Sequence, residues 1–532
     1  MHRALEILEL LEAICAALPA HRPTLYSVAL VCRSLSGPAL DQLWLSGTYE
    51  SMLVNLLSCM PSDLWEIVRS RNPTEISVTA RRAIEPSDWN RFSFYASRVR
   101  SLLVSDELHE AGDDKWSPVF DMLSMARPSE SVPLFPNLRM LRWQTANRPW
   151  FSYARLFLSS SLATLDLFVV PTTYPHLALL ALISEHCPRL TRVDLFVEGR
   201  LDTAHRDRAS STMVSNLQHV RQLSIQRITS ESAFEHLVQL PSLLSLTLRE
   251  ALNFVPNFAS IAHRMTPFPA LLNLNLKHDS TQFMVRWLGM RDSWTLESIS
   301  YSSSRAIVAG DAENLFPALA VHCNHNTLTR LRFCVANSGL LNIAHIGNGG
   351  TLKIDTLRPL FAFHSLHNVV IFPSAGFDLD DDGIDALARA WPQLRYLELH
   401  SSGFRSGPSR VTLRGLRSFA KHCRFLMELQ IAFDASVIPA DDDRDLGLGP
   451  ITQSALSQLG VEDSIIVEPA PVATYLSKTF PSLWCVMPVA TQLVSRELRQ
   501  QASRTHALWS QVNRSIQACS TRGPVSLALA GW

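Results

Sequence analysis

The sequence predicts an α/β solenoid, with a curved parallel sheet inside and helices outside, behind a small all-helical unit. Three observations predict it. One apolar spacing recurs along most of the 532 residues, the stretches between its copies read as amphipathic helices, and residues 1–48 do not share the spacing.

The recurring unit is apolar-x-x-apolar-x-apolar, often preceded by Pro or Ser. Its copies fall at Val99/Leu102/Val104, Leu138/Leu141/Trp143, Leu162/Leu165/Leu167, Leu190/Val193/Leu195, Val220/Leu223/Ile225 and Leu243/Leu246/Leu248. They continue at Leu271/Leu274/Leu276, Leu296/Ile299/Tyr301, Leu328/Leu331/Phe333, Leu366/Val369/Ile371, Leu394/Leu397/Leu399 and Leu426/Leu429/Ile431. Weaker copies are read near Ile465–Val467 and at Leu483/Val486. Most steps between first positions are roughly 23 to 32 residues, the range of a leucine-rich repeat and slightly beyond it. The Asn expected after the third apolar residue is filled only at Asn147 and Asn337, so an irregular horseshoe is expected.

Between the copies, residues 178–190, 232–243, 383–394 and 413–426 place apolar side chains at i, i+3, i+4 and end near Pro or a polar break. Strand, turn and helix in alternation give parallel strands joined by crossovers, each unit burying its face only against its neighbours. With the apolar residues inward, the alternating residues face the concave side. That row is read as Arg142, Asp166, Asp194, Gln222, Thr247, Asn273, Asn275, Arg330, Arg332, Tyr396, Glu398, His400, Glu428 and Gln430. It is polar and mixed in sign, the kind of surface on which repeat arrays bind proteins.

Residues 1–48 are expected to form a compact helical unit. An amphipathic helix carries Leu5, Ile7, Leu8, Leu11, Ile14 and Leu18; one or two short helices follow, broken at Gly37 and Pro38. Residues 49–97 read as a linker with a first irregular repeat, 98–488 as the solenoid, 489–520 as a capping helix and 521–532 as a tail.

The helical unit resembles the F-box family. Ile7-Leu8-Glu9-Leu10-Leu11 is similar to its opening, Leu30-Val31-Cys32-Arg33 to its central element and Leu43-Trp44 to its closing pair. Leu8 stands where the family usually has Pro, and Leu35 where it has an aromatic. Residues 89–104 and 456–486 and the helix around Trp509 look like fungal F-box proteins with leucine-rich repeats. The resemblance implies a non-enzymatic substrate receptor of a cullin–RING ubiquitin ligase. Ile7, Leu8, Leu11, Ile14, Leu30, Val31, Cys32, Leu35, Leu43 and Trp44 would dock on a Skp-type adaptor, and the solenoid would hold a target protein. The competing reading is a repeat scaffold whose N-terminal helices only cap the array.

Other classes find little support. Lys+Arg and Asp+Glu balance at 48 each, where a nucleic-acid or membrane binder would normally be basic, although a local patch survives averaging. Nine scattered cysteines without CxxC spacing, and no run of ~18 apolar residues, lead us to expect a reduced intracellular protein of cytoplasm or nucleus. No cofactor is expected. Asp378, Asp380 and Asp382-Gly383 begin like a calcium loop, but Arg389 stands where a bidentate Glu is needed, so Asp380, Asp381 and Asp382 are read as capping and charge-complementing the helix that starts near Gly383. His186/Cys187, His322/Cys323 and His422/Cys423 recur at helix ends in separate repeats, too far apart to share a zinc ion. Gly347-Asn348-Gly349-Gly350 lacks phosphate-loop spacing, and the acidic stretch at 441–445 reads as a loop.

Overall fold

Each of the twelve full apolar triads is buried at all three positions. In the computed structural model the second and third residues of each triad lie on one strand of a parallel sheet, and the first lies in the turn that enters it. The structure describes residues 7–18, 21–69, 76–105, 116–127, 132–144, 149–169, 174–197, 203–252, 254–335, 350–400, 409–439, 451–488 and 496–519. The chain divides into two units, Met1–Pro256 with Phe268–Ala270 and Asn257–Pro267 with Leu271–Trp532.

The first unit carries seven parallel strands: Ser46–Thr48, Ser101–Ser105, Met140–Gln144, Thr164–Val169, Arg192–Val197, Gln222–Ile225 and Ser245–Leu248. Its register places Leu102, Leu141, Leu165, Val193, Leu223 and Leu246 side by side. The second unit carries eight: Asn273–Lys277, Ser298–Ser303, Arg330–Val335, Asn368–Phe372, Tyr396–Leu399, Glu428–Ile431, Gln458–Glu462 and Cys485–Pro488. Here Leu274, Ile299, Leu331, Val369, Leu397, Leu429, Leu459 and Val486 align. A slip of one residue would turn every one of these side chains to water, which is why the spacing specifies the register. Helices, among them Tyr174–His186, Glu231–Gln239, Asp381–Ala390 and Leu413–His422, fall between the strands where the sequence places them.

The weaker copy near Ile465–Val467 is corrected. The strand there is Gln458–Glu462, with Leu456, Leu459 and Val461 buried as the triad. Glu462 takes a left-handed φ of 47°, which turns the chain out of the sheet. Ile465–Ile466 then pairs with Asp434–Ala435 in a separate short ladder, leaving Ile465 and Val467 exposed. Two further elements carry no legible signal. Ser46–Thr48 is too short and polar to show the spacing, and Trp65–Arg69 with Ile76–Ala80 forms a separate antiparallel pair.

Asn147 and Asn337 lie outside the described residues. Among the described residues, hydroxyls in the turns that enter the strands make hydrogen bonds between repeats. Ser161 donates to Leu138 O at 2.9 Å, Ser242 to Val220 O at 3.0 Å and Thr327 to Leu296 O at 3.0 Å. Late in the array a single amide does this work twice and holds its own turn with two further bonds. Buried Gln453 donates to Leu426 O (2.8 Å) and Cys423 O (3.2 Å) and accepts from the backbone N–H of Leu456 (2.8 Å) and Ala455 (3.2 Å).

The acidic run at 378–382 also joins repeats. Asp380 is the N-cap of Asp381–Ala390, accepting from Gly383 N at 3.0 Å, and Arg410 bridges Asp378 and Asp380 at 3.1 and 2.8 Å. Asp381 turns to the next repeat, accepting from Thr412 N (2.7 Å) and Thr412 Oγ1 (2.6 Å) at the start of Leu413–His422. A Cβ on Gly415 would sit 2.5 Å from Asp381 Oδ1. Helix propensity favours alanine there by about 1 kcal/mol, but displacing Asp381 loses two charge-assisted bonds of about 1.5–3 kcal/mol each. Gly415→Ala should therefore destabilise the chain by about 2–5 kcal/mol, read from its urea midpoint; a rise in stability would show that Asp381 moves freely.

The last strand is covered by the helix Arg496–Cys519. Trp509, Val512 and Ile516, at i, i+3 and i+7, are buried; Trp509 Nε1 donates to Ser464 O at 2.9 Å. Asn513 Oδ1 accepts from Val486 N at 2.8 Å, satisfying a donor on an edge strand that would otherwise template further pairing.

Candidate interaction surfaces

The N-terminal module is three helices, Leu8–Ala16, Arg22–Ala29 and Arg33–Leu43, in the first unit. Its core is small: Cys15, Leu25 and Ala39, with Leu18, Val28, Ala29 and Leu43 packed against them. So short a unit cannot bury all of its apolar residues. Ile7, Leu8, Leu10, Ile14, Tyr26, Leu30 and Val31 are left exposed, the last two at 70% and 69%. Of the residues expected to meet an adaptor, Ile7, Leu8, Ile14, Leu30 and Val31 are thus on the surface, while Cys32, Leu35, Leu43 and Trp44 are half-buried. Leu11 is 2% exposed, because the helix turns it inward, so it is a packing residue rather than part of that surface. The module is tied to the repeats that follow by an Arg98–Asp41 ion pair and by Trp44 stacked on Tyr95, with ring centroids 4.9 Å apart.

On the sheet of the first unit, Arg142, Asp166 and Asp194 are direct neighbours on adjacent strands. Gln222 lies two positions earlier on its strand, beside Arg192 and Ser245, and Thr247 lies beside Ser224, the neighbour of Asp194. Burial raises the Asp166 carboxyl above its usual range, and neighbouring Asp194 pushes the same way. Two positions beyond these acids on the same face, Phe168 and Phe196 stack with centroids 5.1 Å apart and planes 7° apart. Arg249 caps the pair, its guanidinium 5.8 Å from the Phe196 centroid, while donating to Asp194 Oδ1 and Ser224 Oγ, each at 2.8 Å. A reading confined to one residue per strand misses this half-exposed aromatic stack, although its alternation with Leu167 and Leu195 is visible.

On the sheet of the second unit, Asn273, Arg330, Tyr396 and Glu428 share one row with Ser298, Asn368 and Gln458. Asn275, Arg332, Glu398 and Gln430 share the next, with Ser300, Val370 and Gly460. Much of this face is bonded to itself. Arg330 donates to Asn273 Oδ1 at 2.9 Å, Tyr396 OH to Glu398 Oε2 at 2.9 Å, and Arg332 Nε to Cys334 Sγ at 3.3 Å. Burial, reinforced by Glu398, pushes the Tyr396 phenol above its ordinary range, and burial raises the Glu428 carboxyl. Glu462, unforeseen in the sequence, is buried, accepts from Gln430 Nε2 and lies in ion-pair contact with His400 Nδ1; the His400 ring centroid lies 4.3 Å from that of Phe372. Gly460 makes room for this arrangement, since a Cβ there would lie 2.7 Å from Gln430 Cγ.

The His-Cys pairs are packing features. Cys187, Cys323 and Cys423 are buried at helix ends, and burial pushes each thiol up to about 12, away from the thiolate a metal needs. The histidines turn elsewhere: His186 Nδ1 to Leu182 O, His322 Nδ1 to Arg291 O, and His422 Nε2 to Asp385 Oδ1 at 3.3 Å. Among the described residues no three potential ligands gather as a metal site, and no helix is long and apolar enough to cross a membrane. A cavity lined by Phe377, Leu379, Leu399, Ser409, Val411, Ile431 and Ala432 encloses about 10 Å³, space for a water molecule rather than a metabolite. The stretch at 441–445 and Gly347, Asn348 and Gly349 lie outside the described residues.

No known family model matches the chain, and no curated protein matches its sequence.

Proposed function

We propose that the chain is a substrate-recognition adaptor of a cullin–RING ubiquitin ligase, its N-terminal module docking on a Skp-type adaptor and its repeat array holding a target protein. The supporting observation is the placement of seven large apolar side chains in water within residues 7–31, on the three-helix module whose sequence resembles the F-box. Exposed apolar surface of that density marks a protein interface, and here it is joined to a repeat array with a mixed polar face. Purified full-length chain should capture a Skp-type adaptor at about one-to-one stoichiometry. A folded chain that captures none would sink the reading.

One observation favours a second reading. The Arg98–Asp41 pair, the Trp44–Tyr95 stack and the strand Ser46–Thr48 all join the module to the first repeats, as a terminal cap would require. Deleting residues 1–44 separates the two. A cap predicts a large drop in the thermal midpoint of the remainder, whereas a docking module predicts loss of adaptor capture with the midpoint nearly kept.

A further inference from the structure

The chain has no net charge, yet its arginines are not evenly spread. In the first unit, the turns leading directly into the second to seventh strands are residues 97–100, 136–139, 160–163, 187–191, 216–221 and 240–244. They hold Arg98, Arg100, Arg139, Arg189, His219 and Arg221 and not one Asp or Glu; Arg192 opens the strand after the fourth. Arg98 is committed to Asp41. Among the described residues Arg139, Arg189, Arg192 and Arg221 form no ion pair, and all four are exposed; half-buried Arg100 donates only to backbone carbonyls, Ser97 O at 2.9 Å and Asn137 O at 3.4 Å. Asp166, the carboxylate that feels Arg192 electrostatically, lies further along the sheet face and is closer in effect to Asp194 and Arg142.

The sheet ladder arranges these cations in a line. Arg139 N donates to Arg100 O, Ala163 N to Arg139 O, Thr191 N to Ala163 O and Arg221 N to Thr191 O, at 2.7–2.9 Å. From Arg100 to Arg221 is therefore four strand steps, each ~4.8 Å, or ~19 Å in all. An extended peptide covers that length in about six residues, with alternate side chains ~7 Å apart. The guanidinium fork suits carboxylate oxygens, and among the described residues none occupies these four exposed arginines. The six turns carry no Phe, Tyr or Trp, and His219 is their one ring on which a base could stack, which favours a carboxylate-bearing chain over single-stranded nucleic acid.

We infer that the strand-entry edge of the first unit is a binding surface for an extended acidic segment of a protein partner, read by Arg100, Arg139, Arg189, Arg192 and Arg221. As the class of target it rests on the adaptor reading; as a binding surface it rests on the array alone.

The test uses the intact chain and a fluorescein-labelled decaglutamate peptide, followed by fluorescence anisotropy. Saturable binding should weaken roughly tenfold between 50 and 300 mM salt, because exposed charges are screened. Arg139→Glu with Arg221→Glu should weaken it at least tenfold with the thermal midpoint unchanged, since both side chains stand in water. Arg139→Gln with Arg221→Gln should give a smaller loss of the same sign. Arg504→Glu with Arg514→Glu, on the C-terminal helix, should leave binding as it was. The inference is overturned if decaglutamate does not bind saturably or if the ladder variants bind it as tightly as the parent. It is also overturned if an oligouridylate of equal charge binds more tightly and is lost in the same variants. Adaptor capture by the ladder variants should be unaffected, so a failure here and a failure of the adaptor reading show up in different assays.

Discussion

Replacing Gln453 with leucine should cost the second unit about 3–4 kcal/mol. Leucine keeps nearly the same volume, so the change isolates the hydrogen bonds. Gln453 serves four backbone groups of two successive repeats, and its own N–H is held by Thr479 O at 2.9 Å. Each buried donor or acceptor left without a partner costs about 1–3 kcal/mol, partly relieved at Cys423 O, which also accepts from Leu426 N at 3.1 Å. The measurement is urea denaturation followed by tryptophan fluorescence, and Trp391 and Trp509, both fully buried, lie in this unit. A loss below 1 kcal/mol would mean that water replaces the amide.

The second large effect is on docking. Leu30→Asp combined with Val31→Asp should lower affinity for a Skp-type adaptor at least a hundredfold, about 2.7 kcal/mol, while leaving the module folded. Both side chains are more than two-thirds exposed, so the free chain does not notice the charges, whereas an apolar interface must desolvate them. Leu11→Asp is the instructive contrast. Leu11 is buried, so its replacement should unfold the module, and the resulting loss of capture would say nothing about the surface. Circular dichroism of both variants distinguishes the two cases. Undiminished capture by the folded double variant would move the docking surface elsewhere or remove it.

The sheet was legible because its information is local and repeated. Leu271, Leu274 and Leu276 need only their own spacing to be placed inward, and twelve copies of one spacing leave little freedom in register. What was hidden depends on partners far along the chain. Gln453 looks like any loop glutamine until Cys423 and Leu426 are brought to it, and Arg98 gives no sign that Asp41 will meet it. Glu462 was missed for a different reason. It departs from the strand through a left-handed backbone that no side-chain pattern announces, and so ends under His400 and Gln430. The polar face was read in part: the row through Arg142, Asp166 and Asp194 follows from alternation, whereas the Phe168–Phe196 stack needed the same alternation carried two residues further. The helical character of the module was readable, but the break expected at Gly37 and Pro38 does not occur, since the helix Arg33–Leu43 runs through both. Which of its leucines face water was not readable, because a core of so few residues can be packed in several ways.

The cysteines at the helix ends give the array built-in reporters of its own opening. Cys187, Cys323 and Cys423 sit at equivalent points of three separate repeats, sealed from solvent and with thiols that ionise poorly while they stay there. In a quasi-one-dimensional array, unfolding can begin in one stretch and spread to its neighbours. Each of these thiols then becomes reactive only when its own repeat melts, so the order in which an alkylating reagent modifies them records where the array comes apart first and in which direction the break travels.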